Sequence, residues 1–317
     1  MSIAQRQETP RALELLAAQR QTYSRAKVYR AVRVATSAGL AVLAPIVALA
    51  SSEASVLLAG VGAAVAAAAQ LLGQPHEKRL MARAAHIQDQ FDSLVFGLTA
   101  RRSVDVVDEE TAEAARACST KDSLTGWYTT TEKLPPALMV LMAQRSSLVW
   151  NLRQRKRYAT FVGVALAAVI LADLVIGSSM PAAQWMLALV FPSFAGFVHG
   201  IEVIRDHTTA QRQEAAALDE VERIWRAGVL DPATVTPDVL RGVQDRLLRL
   251  RSEHAPIPDW IHRRLRGSFE VDAKAALDTR VADFEAAAGA RSVPVLEARA
   301  GAEGVPVPVG ATTRAAS

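Results

Sequence analysis

Aromatic and guanidinium side chains crowd one stretch of this sequence. Trp127 and Tyr128 lie upstream of Trp150, with Arg145, Arg153, Arg155 and Arg157 around it. Flat rings stack on bases, and guanidinium groups hold phosphates through paired hydrogen bonds, so these residue types suit the grip of a nucleotide. Trp127, Tyr128, Gln144, Arg145, Asn151 and Arg153 are therefore the candidate ligand contacts. A plainer reading stays open beside it, in which the rings serve a core or a membrane interface and the arginines set topology.

A second group consists of polar residues inside long apolar runs. Asp173 is the only charge deep in its run, and His199 and Glu202 stand about one turn apart beyond Pro192, where a kink is expected. Polar groups at membrane depth line a pore or gate, or else reach an interface: the outer one for Asp173, the inner one for His199 and Glu202. No phosphate-binding glycine loop, nucleophile elbow or metal-ligand spacing occurs, and the 6 histidines are scattered. No catalytic residue, metal or cofactor is assigned, and an enzyme is not expected. One cysteine, Cys118, excludes an internal disulfide and suits a reducing compartment.

The elements that must position these residues follow from hydropathy. Half of the 317 residues are hydrophobic and 21% are charged, so the apolar residues must be concentrated. They fill residues 34–50, 54–73, 159–176 and 182–204, each long enough to cross about 30 Å of hydrocarbon. The link 51–53 and the turn 177–181 make two hairpins. Four buried helices of a soluble bundle are the competing reading, disfavoured because soluble core helices seldom run so long without charge. Arg25, Lys27, Arg30 and Arg33 precede the first run; Lys78, Arg79 and Arg83 follow the second; Arg153, Arg155, Lys156 and Arg157 precede the third; Arg205 follows the fourth. Positive residues stay inside, so both termini and the centre are expected on the cytoplasmic face of a multi-pass protein. The first 30 residues hold several arginines and no secretory apolar core, so the first span is expected to be retained. The net charge of +4 then reflects topology rather than direct DNA or RNA binding.

The expected fold is an all-α membrane protein with four transmembrane helices, arranged as two parallel-repeat hairpins with cytoplasmic amphipathic extensions. Its segments are 1–33 (N-terminal amphipathic helix), 34–73 (first hairpin), 74–158 (cytoplasmic connector), 159–204 (second hairpin), 205–287 (C-terminal helices) and 288–317 (disordered tail). Ala18-Gln19-Arg20 and Ala143-Gln144-Arg145 echo each other upstream of the two hairpins, a weak sign of duplication. Thr9-Pro10 and Thr236-Pro237 read as helix starts. Leu80, Ala84, Ile87, Phe91, Leu94 and Leu98 form a heptad stripe that packs within the chain or between chains. Ser103 to Pro136 is a connecting module with an acidic run that includes Asp105. Ala59, Gly60, Gly62 and the alanines to Ala69 give the second run a small-residue face for close packing.

Taken in order, LELLAAQRQTYSRAKVYR (13–30), DQFDSLVFGL (89–98), DSLTGWY (122–128), AQRSSLVWNLRQRKRY (143–158) and IPDWIHRRLR (257–266) resemble the SMODS-associated four-transmembrane effector family, over residues 10–270. The resemblance implies an antiphage role in the bacterial inner membrane. A partner nucleotidyltransferase makes a cyclic oligonucleotide, which activates the effector to permeabilise the bilayer and abort the infection. The soluble sensor domains fused to other effectors of such systems are not apparent in this sequence, so any such ligand is expected to be read by the helices and short linkers. Four spans are too few for a wide pore in one chain, so a homo-oligomer is expected. The alternative is a non-conducting receptor or scaffold that recruits a cytosolic partner through its helical extensions.

Overall fold

The computed structural model describes residues 1–50, 52–101, 107–119, 124–179 and 181–302, with the side chains of parts of 37–70, 184–195 and all of 291–302 left aside. Asp105 lies outside these limits, as do the side chains of Ala59, Ala63 and Ala66 in the small-residue face. The described residues are helical, with no strand among them.

The helices start where local chemistry dictates. A short helix not foreseen in the sequence, α1 (Ile3–Gln7), opens on a capping box: Ser2 accepts from the Gln5 amide and the Gln5 side chain accepts from Ser2. α2 (Pro10–Ala50) begins with proline at its first position, but the Thr9 hydroxyl donates back to the Arg6 carbonyl rather than capping. α3 (Ser52–Phe96) carries Pro75 in its interior, which removes one helix hydrogen bond just past the second apolar run. It ends at Gly97, whose φ of 72° turns the chain as glycine readily allows. α4 (Asp108–Ala117) has Asp108, Glu109 and Glu110 in its first turn and Arg116 in its last, matching the helix dipole.

α5 (Pro136–Gly177) is a continuous helix from the connecting module through the third apolar run. Ala182–Trp185 (α6) and a π-helical turn, Met186–Val190, lead into α7 (Phe191–Leu230). The expected irregularity near Pro192 is thus a π turn on its N-terminal side; the proline side chain lies outside the described set. α8 (Pro237–Glu253) is capped by Thr236, which accepts from the Val239 amide at 3.4 Å. α9 spans Asp259–Ala302, so its backbone extends through part of the segment expected to be irregular from residue 288.

α2 lies along α3, and α5 along α7; α2 also touches α7 and α4, and α8 rests on α3. A single large cluster draws on α2, α3, α5, α7 and α8, with Leu16, Ile87, Phe91, Leu141, Val221, Trp225 and Leu247 at its centre. Ile87 and Phe91 of the heptad stripe face this core and Ala84 is also buried, so this part of the stripe packs within the chain. Leu94 does not: it is 41% exposed and Val95 is buried in its place. A straight helix drifts from a seven-residue repeat, and the core follows the helix.

One helix among the described residues, α5, is long and apolar enough to cross a membrane, and its apolar stretch is almost wholly unburied by the rest of the chain. Val164, Leu171 and Val175 are each more than 60% exposed there. A run of aliphatic side chains left so open needs an apolar surrounding.

Candidate functional site

Below the apolar half of α5 lies a cavity of about 1020 Å³, with walls from α2, α3, α5, α8 and α9 and from the loop that carries Trp127. Arg20 and Lys27 come from α2, Arg145, Arg153 and Arg155 from α5, Arg251 from α8, and Arg263 and Arg266 from α9. Among the described residues these eight cations face three lining carboxylates, Asp259, Glu270 and Asp272. The two echo tripeptides meet here, because Arg20 and Arg145 line the same space. The positive field is felt by His262 on the wall: burial, then Lys27 and Arg20, push its imidazole down to about 4.

Aromatic rings form one side. Trp150 packs against Phe269 at 4.3 Å between centroids and edge-on to His262 at 5.1 Å, and the Arg153 guanidinium lies 5.8 Å over Phe269. On the other side, Gly126 takes the left-handed conformation (φ 65°) and its amide donates to Glu8. Gln7 then binds the Tyr128 backbone on both faces, accepting from its amide at 2.9 Å and donating to its carbonyl. This clamp from α1 holds Trp127 at the cavity with 37% of its surface open.

Two buried arginines floor the cavity. Arg251 donates to Asp92 at 2.6 Å, and Asp92 also accepts from the Tyr128 hydroxyl at 2.6 Å and from Gln244 at 2.8 Å. Gln144 extends that network by donating to Gln244 and to the Leu240 carbonyl, while its own Oε1 has no partner among the described residues. Nearby, Asp89 accepts from Arg241 at 2.7 Å. The second arginine, Arg155, donates to Glu214 at 2.8 Å and to the Ala255 carbonyl, and approaches His207 Nδ1 at 3.2 Å. Burial pushes Glu214 up, against the pull of Arg155. Burial, with Arg155 next, pushes His207 down to about 3.

The other cavity cations are held more loosely. Arg145 meets Glu222 at 2.6 Å, Arg153 meets Asp272 at 2.5 Å, and Lys27 pairs with Asp259. These pairs tie α5 to α7, α5 to α9 and α2 to α9. An entering polyanion would meet Arg153 and Lys27, whose partners Asp272 and Asp259 are half-exposed and can be solvated by water instead, and Arg145, whose more buried partner Glu222 keeps Arg280.

Five of the six candidate contacts, Trp127, Tyr128, Arg145, Asn151 and Arg153, line this cavity. Gln144 does not. Fully buried, it spends its amide on the α8 network, because its helix turns it toward Leu240. Tyr128 offers only a buried flank, its hydroxyl taken by Asp92. Arg20, Lys27, His262, Arg263, Arg266 and Phe269 were not singled out as site residues from the sequence. The signal for Arg20 and Lys27 lay in the RQTYSRAK segment and that for His262, Arg263 and Arg266 in IPDWIHRRLR, with Phe269 just beyond it, without a partner visible along the chain.

The second residue group falls elsewhere. Asp173 is half-buried one turn from the end of α5, where the Trp185 indole donates to its carbonyl across the turn. His199 and Glu202 line a smaller cavity of about 380 Å³ with Arg30, Arg33, Gln74 and Asp206, and stand 4.0 Å apart. Next to it Glu77 accepts from Arg33 at 2.6 Å and Arg30 at 3.2 Å, joining the feet of α2 and α3. His199 and Glu202 therefore sit where the apolar runs end, apart from Asp173.

Fold and cavity together describe a helical protein in which a basic, ring-walled chamber adjoins an exposed apolar helix. The chain belongs to the SMODS-associating 4TM effector domain family, whose family model matches residues 1–279. It is 22% identical over 279 residues to a probable CBASS effector molecule of Bacillus cereus (strain VD146), covering 81% of this chain and 91% of that protein. No solved structure matches. Membership of a four-transmembrane effector family makes this a membrane protein, in keeping with the exposed apolar face of α5.

Proposed function

We propose that this protein is an antiphage effector of the bacterial inner membrane, activated by a cyclic oligonucleotide that a partner nucleotidyltransferase makes and that binds in the large basic cavity. The observation that carries the reading is continuity. α2 and α5 line the cavity with Gln19–Lys27 and Met139–Arg155, and each continues unbroken into an apolar run. The chain crosses the bilayer at 34–50, 54–73, 159–176 and 182–204, with both termini in the cytoplasm. Phosphates pull on the guanidinium groups of α2, α5 and α9, bases stack near Trp127 and Trp150, and the load is delivered directly to the first and third spans.

Opening follows assembly of several chains, since four helices cannot surround a wide pore, and the outcome is loss of the membrane barrier. His199 and Glu202 stand at the inner mouth, Asp173 toward the outer face. The test is reconstitution in dye-loaded liposomes with cyclic di- and trinucleotides, including the product of a synthase encoded beside the protein. Leakage is expected with one of them and with none of their linear counterparts. Intact liposomes throughout would refute activation by this class of ligand.

A further inference from the structure

Where α9 begins, it carries an aromatic ring to the edge of the third apolar run. Trp260, 41% exposed, stands edge-on to Phe161, 52% exposed, with ring centroids 4.9 Å apart. Phe161 lies at the start of the α5 run that continues through exposed Val164 and Leu171. Beneath the rings, Ile261 packs with Tyr158 and Val203, which fixes this end of α9 to α5 and α7.

α9 runs antiparallel to α5, because Phe269 meets Trp150 and Asp272 meets Arg153, both farther from the apolar run. One helical turn toward the cytoplasm from each ring therefore comes an arginine on the same face: Arg157 below Phe161, and Arg264 below Trp260. Both are exposed, and neither pairs with a carboxylate among the described residues. Asp259, the nearest acid in the sequence, is already engaged by Lys27. Lys156 adds a further exposed positive charge.

We infer that Phe161, Trp260, Arg157 and Arg264 form a docking surface for the headgroups of anionic phospholipids in the cytoplasmic leaflet. Rings belong at the boundary between acyl chains and headgroups, and guanidinium groups one turn farther out are level with the phosphates. Charge complementarity selects an anionic lipid over a zwitterionic one, and continuity with the exposed face of α5 selects a bilayer over a soluble anion. This surface rests on the spanning of α5, not on the nucleotide cavity. Its consequence is that α9, a wall of the cavity, is held to the membrane at its first turn.

The experiment uses the full chain in vesicles of phosphatidylcholine mixed equally with phosphatidylglycerol, with bromine on the acyl chains of one lipid or the other. The Trp260 signal is the difference between wild type and Trp260→Phe, and Trp185 is read likewise through Trp185→Phe. Brominated phosphatidylglycerol is expected to quench Trp260 more strongly, reflecting local enrichment of about fivefold for each guanidinium. The double variant Arg157→Gln/Arg264→Gln, checked for an unchanged melting temperature, should quench equally with both. Equal quenching in the wild type, or a preference kept in the double variant, overturns the proposal. Trp185 quenched while Trp260 is not overturns the surface alone. Quenching of neither overturns the spanning reading on which it rests.

Discussion

Two buried arginines floor the same cavity, yet their surroundings differ. Arg251 faces a carboxylate with both oxygens satisfied: Asp92 receives three donors, from Arg251, Tyr128 and Gln244, deep in the core, and the open acceptor of this network is the more distant Gln144 Oε1. Arg155, closer to the apolar runs, meets a carboxylate with only one oxygen satisfied. Glu214 Oε2 and His207 Nε2 are buried with no hydrogen-bond partner among the described residues. A buried ion pair whose carboxylate is satisfied on both oxygens has one low-energy arrangement, whereas one with an open oxygen lies closer in free energy to alternatives. On the proposed function, the difference suits the first centre to holding this end of the protein together and the second to rearranging when the cavity fills.

The comparison can be broken at several points. The largest effect is expected for Asp92→Asn, which leaves Arg251 buried without its counterion and should lower stability by about 3–5 kcal/mol, read as a fall in melting temperature in detergent. Arg153→Gln should leave folding intact but weaken cyclic-oligonucleotide binding by about ten- to a hundredfold, the worth of one hydrogen bond to a charged group, as titration calorimetry would show.

Glu214→Gln should lower stability by only about 1–2 kcal/mol, since its carboxylate is already poorly satisfied and Arg155 keeps the Ala255 carbonyl. A loss equal to that of Asp92→Asn would erase the distinction between the two centres.

The second centre also has a pH signature. His207, held neutral down to about 3 in the fold against 6.5 when unfolded, contributes stability above pH 6.5 that is lost as pH falls toward 3. Glu214 acts oppositely: its raised value contributes below 4.5, and the contribution is lost as pH rises through its folded pKa. His207→Gln should therefore flatten the acid decline of the melting temperature between pH 6.5 and 3. The smallest effect belongs to Lys27→Gln at the cavity rim, whose partner Asp259 is half-exposed; the pair should be worth under about 1 kcal/mol in thermal melts.

How far the sequence could lead is clear from the same residues. The apolar runs and the Arg145–Arg153 cluster were legible because periodicity, composition and short spacing lie along the chain. Asp92 and Arg251 are 159 positions apart, and no local signal announces that they meet. Gln144 looked like a ligand contact beside Arg145, but helical geometry turns adjacent residues about 100° apart and sends it into the core. Phe269 and His262 joined the site only because α9 folds back antiparallel along α5. Of the arginines near the third run, Arg155 and Arg153 make specific ion pairs, with Glu214 and Asp272, that no spacing along the chain announces.

The central claim is that a polyanion enters the basic cavity, and His262 reports on it from the wall. Its imidazole is held down to about 4 by burial and by Lys27 and Arg20, so a bound phosphate should raise that value. The measurement is an NMR pH titration of His262 in the full-length protein, with and without the cyclic oligonucleotide that causes liposome leakage. An upward shift that disappears in Arg153→Gln is the predicted result. An unmoved His262 in the presence of a nucleotide that still opens liposomes would place the receptor site elsewhere.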